Sequence, residues 1–256
     1  WQPIQQTKQT LNIAKEDPSV FLAIMGISWF WFLGASYLTQ FPNYSHLHLN
    51  DNAITVTVLL ALFSIGIAIG SLACDMLSKH RVEIGIIPLG CLGISLFGMN
   101  LYLSTPSSSI DATGFIATLL SPELLPVFIN LLFLGICGGL YIVPLYTLIQ
   151  QRPKPEHRSQ IIAANNIYNA LFMVASAILG IVCLSVLELS IPQFFALLAI
   201  MNGVVALFLL CKVPVFVIRF LLWIITHTMY RVKHKGLQHL PEEGGALLVC
   251  NHITYM

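Results

Sequence analysis

Asn251 and His252 have the types and setting for proton transfer, because they directly follow a short continuous apolar run at 246–250. That run, entered through a Leu-Pro-x-x-Gly-Gly turn at 240–245, reads as a buried strand. An imidazole placed there could take a proton from a hydroxyl, provided a carboxylate fixed its tautomer and steadied the imidazolium that forms. A lone histidine is more often structural, so the pair gains meaning only from what surrounds it. Metal chemistry is not expected: the six cysteines, at 74, 91, 137, 183, 211 and 250, form no CxxC and no His stands at ligand spacing from them. They read as inert core thiols, and no cofactor is expected.

The elements that must carry this pair are largely membrane. Of 256 residues, 57% are hydrophobic and 9% charged, whereas charged residues make up about a quarter of soluble domains. Six runs, 21–40, 53–72, 84–103, 125–149, 161–187 and 194–211, contain no Asp, Glu, Lys or Arg. Each is long enough to cross about 30 Å of hydrocarbon at about 1.5 Å per residue. A charge at a span centre costs roughly 2.5–3.5 kcal/mol, so six clean runs in succession predict six transmembrane helices. The clusters FPNYSH, STPSSS and QQRPKPEHRS read as the loops between them. With a net charge of +1 and few, scattered cations, nucleic acid is excluded as a partner.

Alternate connections hold all twelve Lys and Arg. Lys8 and Lys15 precede the first span, Lys79 and Arg81 follow the second, and Arg152, Lys154 and Arg158 follow the fourth. Lys212, Arg219, Arg231, Lys233 and Lys235 follow the sixth, while the stretches 41–52, 104–124 and 188–193 hold none. The positive-inside rule therefore predicts that both ends of the chain are cytoplasmic.

Polar and small residues inside the spans are the next candidates. Gly66 and Gly70 form a small-xxx-small pair, the pattern of close helix packing. Gly135, Gly138, Gly139 and Pro144 interrupt the fourth run, which fits either a substrate-lining, moving helix or a kinked packing helix. Asn165 and Asn169 share a helical face with Asn166 beside them; such amides serve helix contacts or contact a lipid headgroup. All eleven Asp and Glu lie in loops or at helix ends, so no proton relay is expected in these spans.

Six helices with cytoplasmic ends resemble one half of a major facilitator transporter, in which two such bundles flank a midplane site. The wording FLAIMGISWFWFLGASYLTQFPNY over the first span, with GSLACDMLSKHRVEIGIIPLG across the second connection, resembles the C-terminal half of the bacterial lysophospholipid transporters. That likeness implies lysophospholipid and membrane lipids as partners, together with an N-terminal six-helix half. It also sets Gly70, Asp75, Lys79 and Arg81 near the superfamily's Gly-Asp-Arg gating loop, although Asp75 falls one position late; a plain solvated loop is the other reading.

Beyond Pro214, the segment to Lys235 combines Phe, Leu and Trp223 with a basic tail, which suits a helix lying in the cytoplasmic interface. A short seventh or re-entrant span is the alternative. Gly236, Leu240, Pro241, Gly245, the apolar strand and Asn251-His252 then follow the order of the glycerolipid acyltransferase family. In that family the motif is His, four residues, Asp, and the likeness implies His252 as general base with Asn251 beside it. The Asp would come immediately after Met256, so the chain is expected to be an excised, catalytically silent piece. The likeness further implies an acyl carrier protein or coenzyme A thioester as donor to the parent protein.

These readings predict an all-α membrane fold followed by the truncated start of an α/β acyltransferase domain. The expected divisions are an amphipathic lead-in at 1–18, a six-helix transporter half at 19–213, an interfacial helix at 214–235 and the acyltransferase edge at 236–256. The expected protein lies in a bacterial inner membrane, moves lysophospholipid and reacylates it on the cytoplasmic side. Two rivals remain: an exporter of another small amphiphile, and an acyltransferase with a purely anchoring membrane part.

Overall fold

Six apolar runs without charges become six long helices because a backbone in hydrocarbon can satisfy its N–H and C=O groups only within the segment. The computed structural model describes residues 3–49, 52–78, 85–106 and 115–212, with the helical positions Ile218, Leu222, Ile225 and Met229. Its helices are α1 (Pro3–Glu16), α2 (Pro18–His48), α3 (Ala53–Ser78), α4 (Ile86–Leu103), the short α5 (Phe115–Leu119), α6 (Leu125–Gln151), α7 (Arg158–Ile181) and α8 (Ile191–Lys212). A 3-10 turn, Pro155–His157, leads into α7, and a π-helical turn, Val182–Val186, ends it. Among the described residues, six helices have the length and composition to cross a membrane: α2, α3, α4, α6, α7 with its flanking turns, and α8.

Residues cluster into two units, Trp1–Phe220 and Leu221–Met256. The first holds the bundle. In the second, Leu222, Ile225 and Met229 are helical, and the expected strand at 246–250, with Asn251 and His252, lies outside the described residues.

Within the bundle α6 is central. It packs against α2, α3, α4 and α7, and 61% of its most apolar stretch is buried against 17% for the span built on α7. Helix α4 lies between α6 and α8, while α2 packs mainly on α7 and α6. Aromatic rings fill the core where α2 meets α8: Tyr37, Phe41 and Tyr44 all set their rings against Phe195, at centroid separations of 5.0, 6.5 and 5.2 Å.

The start of α2 follows from its sequence. Asp17 caps it, its carboxylate accepting from the backbone N–H of Ser19 at 2.8 Å and of Val20 at 3.4 Å. Pro18 opens the helix at a position where a missing N–H costs nothing.

Several expectations need correction. FPNYSH is not a loop: α2 continues through Pro42 to His48. Proline removes one helical hydrogen bond, yet Phe41 and Tyr44 are each only 1% exposed, and the Tyr44 hydroxyl lies 2.9 Å from Thr105 Oγ1. Core packing outweighs the lost bond. At 31 residues α2 is about 46 Å long, so its ends stand clear of a hydrocarbon core of about 30 Å. QQRPKPEHRS is partly helical, since Gln150 and Gln151 close α6 and Arg158 opens α7. Of the described cysteines Cys74, Cys91, Cys137 and Cys183 are buried, but Cys211, in the last turn of α8, is exposed.

Candidate functional site

Glycines set the closest contact in the bundle. A Cβ on Gly66 would collide with the Leu132 carbonyl oxygen, and one on Gly70 with that of Ile136. From the other side, a Cβ on Gly135 would lie 2.5 Å from the Phe63 oxygen, and one on Gly139 2.5 Å from the Ile67 oxygen. Two stripes of small residues therefore let α3 and α6 meet backbone to backbone. Gly70 works here as a mid-helix contact, not as a loop residue. Gly138 points elsewhere, with Phe30 of α2 3.1 Å from the position of a Cβ. Pro144 is buried inside α6, which continues through it.

Polar side chains pin the other helices to α2. Ser28 donates to Asn169 Oδ1 of α7 at 2.9 Å, with both residues buried. One position on, Trp29 Nε1 donates to Asn202 Oδ1 of α8 at 2.9 Å. The amide of Asn202 in turn donates to the Cys91 carbonyl at 2.8 Å and to Ser95 Oγ at 2.9 Å, both on α4. Tyr141 of α6 closes the set by donating to the Gly26 carbonyl at 3.0 Å. Each donor would be costly to leave unpaired in hydrocarbon, so these bonds fix how the helices are rotated. Asn165 is 1% exposed and its Oδ1 finds no donor among the described residues, while Asn166 is exposed.

A second polar group, bonded only within α2 among the described residues, fastens no other helix. Ser36, Thr39, Gln40 and Asn43 recur on one face of α2 and line a cavity of about 370 Å³ between α2 and α7. The rest of the lining is mostly apolar, formed by Ala177, Gly180, Ile181, Leu184 and Phe194, with the hydroxyls of Ser176 and Ser185. The volume lies within the range of about 300–1,000 Å³ typical of small-molecule sites. The cavity lies in the half of the bundle away from Asp17 and Arg158, the residues at which α2 and α7 begin.

At the opposite end, Arg152 Nε donates to Asp17 Oδ2 at 2.7 Å, tying the start of α2 to the end of α6. That guanidinium is the main reason the Asp17 carboxyl is held below its ordinary range; the capping N–H groups add to it and slight burial opposes it.

The structure thus distributes the sequence candidates over several places. Gly70 and Gly139 meet at the α3–α6 contact, Asn169 is bonded to α2, and Asp75 is exposed in the last turn of α3. Lys79, Arg81, Asn251 and His252 lie outside the described residues. Sequence reasoning missed the α2 stripe, Trp29, Asn202 and the Asp17–Arg152 pair. A polar recurrence at i, i+3, i+4 and i+7 within an apolar run was the available signal for the stripe, and Asp-Pro before that run was the signal for the cap.

The profile of the Major Facilitator Superfamily matches residues 1–177. Curated relatives include the lysophospholipid transporters LplT of Shigella flexneri and of Escherichia coli strain K12 / DH10B, each 28% identical over 159 residues, or 60% of this chain and 35% of theirs. The chain thus spans about a third of the length of the relatives it matches. No solved structure matches it.

Proposed function

We propose that this chain, which belongs to the Major Facilitator Superfamily and is a multi-pass membrane protein, forms half of a carrier that moves lysophospholipid across a bacterial inner membrane. The observation that carries this reading is the cavity between α2 and α7, with hydroxyl and amide groups on one wall and aliphatic groups on the other. A single-chain lipid has the same division between a polar head and an apolar tail. Uncharged donors and acceptors suit a headgroup that must leave again, since a buried unpaired charge would cost far more. Likeness to lysophospholipid transporters supports the same substrate class. On this reading the chain is the C-terminal half, both of its ends face the cytoplasm, and the other wall of the route comes from a second six-helix bundle.

The Asn251-His252 motif adds an enzymatic part to the proposal. It would place the opening of an acyltransferase on the cytoplasmic side, where an acyl carrier protein or coenzyme A thioester could reacylate lipid delivered by the bundle. The decisive experiment reconstitutes the full protein into liposomes and follows the movement of labelled lysophosphatidylethanolamine between leaflets. Gln40→Leu with Asn43→Leu should cut the rate roughly tenfold, the worth of one or two lost hydrogen bonds at about 0.5–1.5 kcal/mol each. Competition by unrelated amphiphiles as effective as that by lysophospholipid would favour a general exporter. Acylation without any movement of lipid would leave the helices as an anchor only.

A further inference from the structure

A pocket of about 280 Å³ opens at the end of the bundle where Asp17 and Arg152 meet. It is too small for a whole lipid on the scale of about 300–1,000 Å³ for ligand sites, but it can take a headgroup. Its walls carry opposite charges from different parts of the chain. Glu16 and Asp17 come from the junction of α1 and α2; Arg152, Lys154 and His157 come from the connection between α6 and α7. The floor is apolar, set by Val20 and Ile161, each of which begins the buried face of a spanning helix.

Within the pocket charge is only partly consumed. The Asp17–Arg152 pair uses one guanidinium nitrogen, Nε. Arginine offers five N–H donors, and this one makes no other hydrogen bond among the described residues. Glu16 and Lys154 form no ion pair among the described residues, and His157 Nδ1 lies 3.1 Å from Gln160 Oε1. A cationic wall with spare donors therefore lies beside a carboxylate wall where α2 and α7 begin and α6 ends.

We propose that this pocket binds the headgroup of a zwitterionic lysophospholipid at the membrane surface, with the phosphate on Arg152 and Lys154 and the ammonium on Glu16. Arginine suits phosphate through its planar fork, lysine as a point charge. The acyl chain would run from the headgroup down the flank of the bundle. This inference rests on the lysophospholipid reading above and adds a capture or release site separate from the cavity between α2 and α7.

The test uses the full protein in nanodiscs, measuring its binding of lysophosphatidylethanolamine, lysophosphatidylglycerol and water-soluble sn-glycero-3-phosphoethanolamine. Lys154→Gln should weaken both lysolipids about fivefold, while Glu16→Gln should weaken only the ethanolamine lipid by a similar factor, as expected of half-screened charge contacts. Thermal midpoints should stay unchanged, since both side chains are exposed. Equal loss of both lipids in Glu16→Gln, or no loss in either variant, would overturn the pocket while leaving lipid transport intact. Binding of the water-soluble headgroup as tightly as the lysolipid would overturn the assignment to a lipid. A wild-type protein that binds neither lysolipid would overturn this inference and the lysophospholipid reading together.

Discussion

Replacing one glycine by alanine at two places in the bundle should give effects of opposite sign. In a helix interior, Gly→Ala normally stabilises by about 0.5–1 kcal/mol, because the unfolded chain loses freedom. At Gly34, in the middle of α2, no atom of another element among the described residues lies within 4 Å of the new methyl, so Gly34→Ala should show that gain. At Gly70 the same methyl would meet the Ile136 carbonyl oxygen, with the carbonyl carbon at 2.8 Å and Cα at 2.9 Å. These are backbone atoms and cannot rotate aside, so α3 and α6 must separate. Overpacking of this kind costs about 1–3 kcal/mol. Net of the helix gain, Gly70→Ala should destabilise by up to about 2.5 kcal/mol and lie about 1–3 kcal/mol below Gly34→Ala. Gly139→Ala should behave likewise, with its methyl 2.5 Å from the Ile67 oxygen and 2.6 Å from the Ser71 nitrogen. The pair Gly70→Ala with Gly139→Ala should cost less than the sum, since a separation forced by one already makes room for the other. Equilibrium unfolding in mixed micelles, titrated with a denaturing detergent, measures all four proteins. Gly70→Ala unfolding at the same point as Gly34→Ala, or later, would refute the backbone contact between α3 and α6.

Asn202→Leu leaves the Trp29 N–H unpaired and removes the amide's bonds to Cys91 and Ser95 of α4, so it should cost about 1–3 kcal/mol in the same unfolding assay; Trp29→Phe should cost less, about 0.6 kcal/mol for one interhelical bond. For Asp17 the folded carboxyl titrates below its ordinary value of 3.8, so its contribution is complete above that pH and is lost as the pH falls through the folded value. Asp17→Asn keeps the cap but not the ion pair, and should lower stability by under about 1 kcal/mol at neutral pH and low salt, with the difference vanishing in strong salt or acid; Asp17→Ala should lose about 1 kcal/mol more with the cap. In a Cys250→Ser background, a maleimide should label Cys211 alone among the described cysteines. If the basic connections face the cytoplasm, an impermeant maleimide should reach Cys211 in inside-out vesicles but not in intact cells, and labelling from outside would reverse the proposed orientation.

Legibility in the sequence followed the length scale of each signal. Runs of twenty apolar residues have one stable solution in a bilayer, and each of the six coincides with a long helix, although α2 continues eight residues and α3 six residues past the expected ends. The Gly66/Gly70 pair predicted close packing, but its partner could not be identified from the sequence: Gly135 and Gly139 stood in a glycine cluster that read equally well as a kink. Local signals misled where distant packing decided the outcome, as at Pro42, which reads as a turn until Tyr44 finds Phe195 on α8 and Thr105 just beyond α4. Trp29 and Asn202 lie 173 positions apart, and nothing local in either segment marks the bond between them.

Polarity inside the bundle separates by whether its partners are already in place. Ser28, Asn169, Trp29 and Asn202 bond across helices, so a change there removes a fastening and should appear first in stability. Further along the same helix, Thr39 is bonded among the described residues only to the carbonyls of Ala35 and Ser36, and Asn43 donates to Gln40 at 3.3 Å. These local bonds hold no other helix, so the groups could exchange partners with a substrate at little structural cost. Stability and transport should therefore divide along α2: variants between Ser28 and Trp29 should loosen the bundle, whereas variants from Ser36 to Asn43 should leave it folded and slow the passage of lipid. A Gln40→Leu, Asn43→Leu protein that unfolded as readily as Asn202→Leu would show instead that the stripe is structural, and the cavity beside it would lose its claim to be part of a transport route.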